Sequence, residues 1–208
     1  MTTIALVDYG MGNRRSVEKA FEHVGAKVRL TAHPDEVAGA DGVVVPGVGA
    51  FPEAMRRLRA TGLDEIIVER ARAGVPVLGI CLGMQVLFDS STEHEGALGL
   101  GLVPGTVSAL DAGGAKLPHI GWNEVTFERR GALNQDLGPT AAFYHVHSFV
   151  CRPEDPHDVV GRGEYGESFP SIVERGRVMG AQFHPEKSSR AGLALLGNFV
   201  AACATVNA

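Results

Sequence analysis

Val75-Pro76-Val77-Leu78-Gly79-Ile80-Cys81-Leu82-Gly83 is the stretch on which the fold turns. Its first six residues form a short apolar run of the kind seen in a strand buried on both faces, which means a parallel sheet covered by helices. The run ends in G-x-C-x-G, the nucleophile-elbow pattern with Cys81 in place of serine. It stands where that pattern requires, after a strand and before a helix expected over Met84 to Phe88. Flanking glycines let neighbouring backbone approach a strained strand-to-helix corner without a Cβ clash. The corner also sets the sulfur at a helix start, where free N–H groups and the dipole favour thiolate.

The chain on the N-terminal side repeats the same alternation. Ile4-Ala5-Leu6-Val7 is a second buried run. Val17, Ala20, Phe21 and Val24 then recur at helical spacing, with Asn13 as N-cap and Gly25 as the stop. Strands are expected at Lys27–Leu30 and Val43–Val45, and helices at Pro52–Arg59 and Leu63–Ala73. Strands alternating with amphipathic helices are βαβ units, so the class is α/β. Beyond the elbow the chain is richer in strands. Leu102–Leu110, Trp122–Phe127 and Ala142–Val150 are candidates, with a hairpin over Ser171–Met179 that turns at Arg175-Gly176. A closing helix over Ala191–Cys203 turns Leu193, Leu196 and Val200 to one face. No repeat or linker divides the chain, so residues 1–208 are expected to form one domain.

Composition narrows the class. The 208 residues are 45% hydrophobic and 21% charged, near globular averages, and long enough for a sizeable core. Net charge is −5 with signs interleaved, which speaks against a nucleic-acid surface. No apolar stretch approaches the ~18–20 residues of a membrane span, and the start of the chain reads as a strand instead of a signal peptide. Cys81, Cys151 and Cys203 are odd in number and contain no CxxC. That fits a reducing cytoplasm better than a disulfide framework or zinc site.

Far downstream lies Gln182-Phe183-His184-Pro185-Glu186. On a strand, His184 and Glu186 project to the same face, where a carboxylate can orient an imidazole that deprotonates a thiol. Pro185 cannot donate to a ladder, so the strand is expected to end or lie exposed there. Each piece alone has a plain reading. A lone Cys is often a small buried hydrophobe, and His and Glu two apart can be a solvated strand end.

Together, G-x-C-x-G and the later F-H-P-E resemble the class I (triad) glutamine amidotransferase family, over roughly residues 4–200. The resemblance implies a three-layer, flavodoxin-like domain with a mixed, largely parallel sheet. It implies Cys81 as nucleophile on the glutamine amide, His184 as proton shuttle and Glu186 as its orienter, with no cofactor and no metal. Pro46-Gly47-Val48-Gly49-Ala50-Phe51 is similar to the family's oxyanion strand, with Val48 and Leu82 as backbone donors and Gly49 beside the substrate. One such donor is worth about 2.7–4 kcal/mol, so turning a glycine-flanked peptide there would switch the enzyme. Gln85 resembles the substrate-amide contact, and His147-Ser148-Phe149 the second substrate-binding strand. His145 and His147 share a face, but no third metal ligand stands at recognisable spacing.

D-Y-G-x-G-N (Asp8 to Asn13), P-x-x-G-W-N (Pro118 to Asn123) and H-P-E-K-S (His184 to Ser188) resemble one branch of that family. Its members are glutaminase subunits supplying ammonia for imidazole glycerol phosphate in histidine biosynthesis. His145 and Phe149 depart from that branch's usual residues, and neither removes a triad member. This resemblance implies a heterodimer with a (β/α)8 cyclase subunit, and makes Asn13, Trp122 and Lys187 the interface candidates. The same scaffold also serves γ-glutamyl hydrolases and the glutaminases of pyridoxal phosphate synthesis, an alternative the residues leave open. The Gly10-Met11-Gly12 fragment lacks the third glycine and acidic residue of a dinucleotide site.

Overall fold

A computed structural model describes residues 1–204. In chain order the elements are β1 (Thr3–Val7), α1 (Arg14–His23), β2 (Lys27–Thr31), α2 (Pro34–Ala38), β3 (Gly42–Gly47), α3 (Phe51–Ala60), α4 (Leu63–Arg72), β4 (Val77–Cys81) and α5 (Leu82–Val86). There follow β5 (Phe88–Ser91), β6 (Ala97–Leu98), β7 (Val103–Ala109), β8 (His119–Phe127), β9 (Thr140–His147), β10 (Phe149–Pro153), β11 (Val159–Tyr165), β12 (Glu167–Arg175), β13 (Val178–Ala181) and α6 (Ser189–Ala204).

A nine-stranded sheet runs β2-β1-β3-β4-β13-β12-β11-β8-β9. It is parallel from β2 through β13 and antiparallel from β12 outward. Its inner parallel strands β1, β3 and β4 are buried on both faces because alternate residues serve two cores, whereas the edge strand β2 is largely exposed. Ile4, Leu6, Val44, Leu78 and Ile80 meet Val17 and Phe21 of α1 and Leu195, Leu196 and Phe199 of α6. Ala5, Val7, Val43, Val45 and Val77 meet α3, α4 and a second sheet of four strands, β10-β7-β5-β6. The fold is therefore layered α/β, with a mixed sheet at its centre.

Several expected boundaries move. The helix after the elbow begins at Leu82, and Phe88 starts β5, because the corner residue itself caps the helix. Ala142–Val150 is two strands: β9 pairs with β8 in the large sheet, and past Ser148 the chain crosses to pair with β7 in the small one. One expected strand therefore bridges two sheets, which period-2 patterning cannot reveal. The buried stripe of α6 centres on Leu195, Leu196, Phe199 and Cys203, with Leu193 and Val200 at its margins. Asn13 precedes α1 as expected, but its side chain makes no capping bond. Gly25, at φ +88°, ends the helix in a conformation that favours glycine.

Candidate active site

β3, β4 and β13 end side by side, and the site gathers where their C-terminal ends open. Cys81 closes β4 at φ 56° and ψ −112°, a left-handed conformation unusual for a residue with a side chain. Packing enforces it. A Cβ on Gly83 would lie 1.7 Å from the carbonyl oxygen of Val45, and one on Gly79 would lie 2.4 Å from that of Gly83. Only glycine at both places lets α5 sit directly on the ends of β3 and β4. The thiol is held just beneath the surface, its Sγ 3.6 Å from the Val146 carbonyl oxygen.

His184 and Glu186 lie just past β13, which stops at Ala181, and they are not on a strand. Pro185 opens a single 3-10 turn over Pro185–Lys187, a position that suits its fixed φ and missing donor. The contact expected from strand spacing forms by this other route. His184 Nδ1 lies 3.0 Å from Glu186 Oε1, with both side chains almost wholly buried. A carboxylate accepts, so Nδ1 carries the proton and Nε2 is left for the sulfur. Burial pulls the imidazole pKa down, but bonds to Cys81 and Glu186 and their charges outweigh it and raise the value to about 10. Ser188 fixes the backbone: its hydroxyl donates to the His184 carbonyl at 2.6 Å and accepts from the Tyr144 N–H at 3.0 Å.

A cleft of about 260 Å³ opens over the sulfur. Val48, Gly49, Leu82, Gln85, His147, Ser148 and Phe149, each expected near the chemistry, all line it with Cys81 and His184. Glu93 is the single charged carboxylate among the lining residues, and no lysine or arginine joins it. The Gly47–Ala50 segment is anchored at both ends by side chains. The Tyr9 hydroxyl donates to the Pro46 carbonyl at 2.7 Å, and Glu93 accepts the Phe51 N–H at 2.7 Å. Burial, then the nearby Cys81, push the Tyr9 pKa up, so it stays a donor. Gly49 has φ +110°, open only to glycine, and Val48 is exposed.

Beside the cleft, three histidines stack in the β8–β9 leaf. His145 and His147 are joined by His119, whose Nδ1 lies 3.0 Å from His147 Nε2. The ring nitrogens are engaged with the protein. His145 reaches the Phe143 carbonyl and the Ser171 hydroxyl, His147 the Phe149 carbonyl, and His119 the Asn123 side chain. Burial pushes His145 and His147 down to about 3, and neighbouring imidazoles push the same way.

Trp122 and Ile120 lie on the solvent face of β8, and Trp122 meets Tyr144 edge-on with ring centroids 6.2 Å apart. Lys187 is exposed on the turn that carries Glu186, and Asn13 precedes α1, which contacts that turn. Sequence reading had not singled out Gln182, Tyr9, Ser188, His119 or Glu93. The first four sit inside quoted motifs, His119 at the second position of Pro118 to Asn123. Glu93 carries no local signal, because a loop between two short strands delivers it.

The model of the family described as glutamine amidotransferase class-I matches residues 5–203. A relative from Moorella thermoacetica, imidazole glycerol phosphate synthase subunit HisH, is 50% identical over 96% of this chain and 94% of its own. A protein of the same name from Bacillus cereus is 46% identical over 94% of this chain and 93% of its own. Solved structures show the same fold. A putative GMP synthase protein from Thermoplasma acidophilum has a TM-score of 0.76 at 21% identity, covering 100% of this chain and 96% of that one. PurLQS from Thermotoga maritima has a TM-score of 0.78 at 18% identity, covering 97% and 99%. The chain belongs to the class I glutamine amidotransferase family.

Proposed function

We propose that this protein is the glutaminase subunit of imidazole glycerol phosphate synthase, with Cys81, His184 and Glu186 as its triad. The observation that carries the reading is His184 held between the Glu186 carboxylate and the Cys81 sulfur, at the floor of a cleft that also contains Gln85. The near full-length relatives that bear this name support it.

The Cys81 sulfur adds to the side-chain amide carbon of glutamine, and the carbonyl oxygen takes the negative charge. Backbone N–H groups of Val48 and Leu82 hold that oxyanion. His184 then gives its proton to the amide nitrogen, ammonia departs and a thioester remains. Water, deprotonated by His184, adds to the thioester carbon, and glutamate leaves as the sulfur is regained. Glu93 faces the substrate's α-ammonium. With no basic side chain in the lining, the α-carboxylate is held by backbone around Gly49 and Ser148.

Ammonia passes to a (β/α)8 cyclase subunit docked over the mouth of the cleft. Asn13, Trp122 and Lys187 contribute to that face, as does exposed Ile120, which pairs across the leaf with the cleft residue Val146. The partner governs turnover by settling the Gly47–Ala50 peptides in their donating orientation. The test is glutamine hydrolysis by wild type and Cys81→Ser, with and without the cyclase and its nucleotide ligand. Low activity alone, a large rise with partner and none in Cys81→Ser are expected. Full activity alone, with no response to the cyclase, would overturn the gating. Hydrolysis surviving in Cys81→Ser would overturn the triad.

A further inference from the structure

Behind the sulfur runs a chain of buried polar groups whose direction is fixed by one carbonyl. The Phe149 oxygen takes contacts from Gln85 Nε2 and His147 Nδ1, each at 3.1 Å. A carbonyl only accepts, so the amide nitrogen of Gln85 must face it. The second hydrogen of that NH2 points to Gln182 Oε1 at 3.2 Å. Gln182 is thereby oriented: its Nε2 faces the other way, 3.9 Å from Cys81 Sγ. Turning its amide over would set two NH2 groups head to head and aim an oxygen at the sulfur. Gln182 has no solvent exposure, so water cannot relieve that arrangement.

The other branch is equally determined. With Nδ1–H of His147 spent on the Phe149 carbonyl, its Nε2 is a lone pair and accepts from Nδ1–H of His119 at 3.0 Å. His119 Nε2 then accepts from Asn123 at 3.3 Å, whose NH2 is also anchored on the Glu164 carbonyl at 2.8 Å.

We propose that Gln182 is a further catalytic residue, donating an amide N–H to the Cys81 sulfur to favour its thiolate, with Gln85 and Phe149 holding it in that orientation. This rests on the reading of Cys81 as nucleophile. Outside the triad, two hydrogen-bonding neighbours of opposite preference reach the sulfur among the described residues. The Val146 carbonyl suits a thiol, which can donate to it, whereas the Gln182 amide suits a thiolate, which can only accept. Without Gln182 the local preference shifts to the unreactive form. As the thioester forms, the sulfur loses its charge and the amide loses its reason to approach, so the contact acts on the nucleophile.

The test is the rate of Cys81 alkylation by iodoacetamide against pH, with the labelled residue assigned by mass spectrometry. Wild type is compared with Gln182→Met, which keeps the bulk and removes the donor, and with Gln182→Glu, which keeps shape and polarity. Circular dichroism and cooperative melting establish that each variant is folded. Gln182→Met is expected to raise the alkylation midpoint by roughly one pH unit, tenfold less thiolate below it. Above the raised midpoint its rate equals or exceeds wild type, since a more basic thiolate is at least as nucleophilic. Gln182→Glu shifts the midpoint further up. An unchanged midpoint in whichever variants fold would overturn the role of Gln182 while leaving the triad standing. Wild-type Cys81 that resists alkylation throughout would overturn both.

Discussion

Two groups of buried histidine stand beside the same cleft and behave in opposite ways. His184, on the turn after β13, has a carboxylate on one nitrogen and a sulfur facing the other, and its pKa is raised to about 10. His145 and His147, on β9, have a carbonyl on one nitrogen and a hydroxyl or another imidazole on the other, and theirs fall to about 3. Burial presses every one of them toward neutrality. The partner decides the outcome: only an acidic group stabilises a charged imidazole enough to overcome burial. An imidazole that favours its charged form and a neutral scaffold are thus made from one residue type in neighbouring parts of the site.

The strongest way to break this contrast is to make His184 resemble the others. Glu186→Gln keeps the shape of the side chain and removes its charge. Its kcat for glutamine is expected to fall by about 10³–10⁴, with KM little changed, because the wrong tautomer and an unsupported imidazolium damage the transition state more than binding. Steady-state kinetics with the cyclase partner measure this. A fall of less than tenfold would mean that the carboxylate is not what sets His184 apart.

The scaffold histidines should show themselves in acid. Their pKa values are depressed on folding, so the unfolded chain binds protons that the native one refuses. The stability they give is complete above about 6.5 and is lost as pH drops toward 3. The His184 value is raised, so its contribution is intact below about 6.5 and is lost as pH rises through about 10. Each scaffold histidine removes about 1.4 kcal/mol per pH unit once titration of the unfolded chain begins. Between pH 6.5, where the unfolded histidines are half protonated, and pH 5 the pair is expected to cost about 3 kcal/mol in urea unfolding, carboxylates aside. His145→Phe should remove about half of that acid slope, at a cost of about 1 kcal/mol at neutral pH for the unpaired Ser171 hydroxyl. An acid limb of unchanged steepness would show that His145 takes up its proton in the folded state.

How far this contrast could be read from sequence depends on how local its causes are. The elbow was legible, because Gly79, Cys81 and Gly83 are close neighbours in the chain and the steric need for glycine is local. The parallel strands β1, β3 and β4 were legible for the same reason: each is built on one short apolar run. The His184–Glu186 pair was legible as a pair, although through strand spacing, whereas a proline-started turn makes the contact. The His145–His147 pair was also visible, but its third member was not. His119 joins them through strand pairing between β8 and β9, across residues that no spacing rule connects. Glu93 and the sulfur-facing end of Gln182 were invisible for the same reason, because both approach from elements that only the assembled sheets bring near. The break at Ser148 was hidden because strand-forming residues stand directly on both sides of it.

The mildest perturbation leaves both charge environments in place and disturbs only how His184 is held. The Ser188 hydroxyl bridges the Tyr144 N–H and the His184 carbonyl, and through Tyr144 it ties the turn to the strand that carries His145 and His147. Ser188→Ala strands a half-buried N–H and loosens the turn without touching sulfur, carboxylate or substrate. A loss of about 1–2 kcal/mol in stability is expected, with kcat down about tenfold and KM unmoved if His184 carries the proton as proposed, since its small misplacement weighs on the transition state. Threonine at this position keeps the hydroxyl and should restore most of kcat. If alanine and threonine lowered kcat equally, cavity volume and not the bridge would be holding the histidine. The contrast between the two histidine groups would then rest on their acidic partners alone.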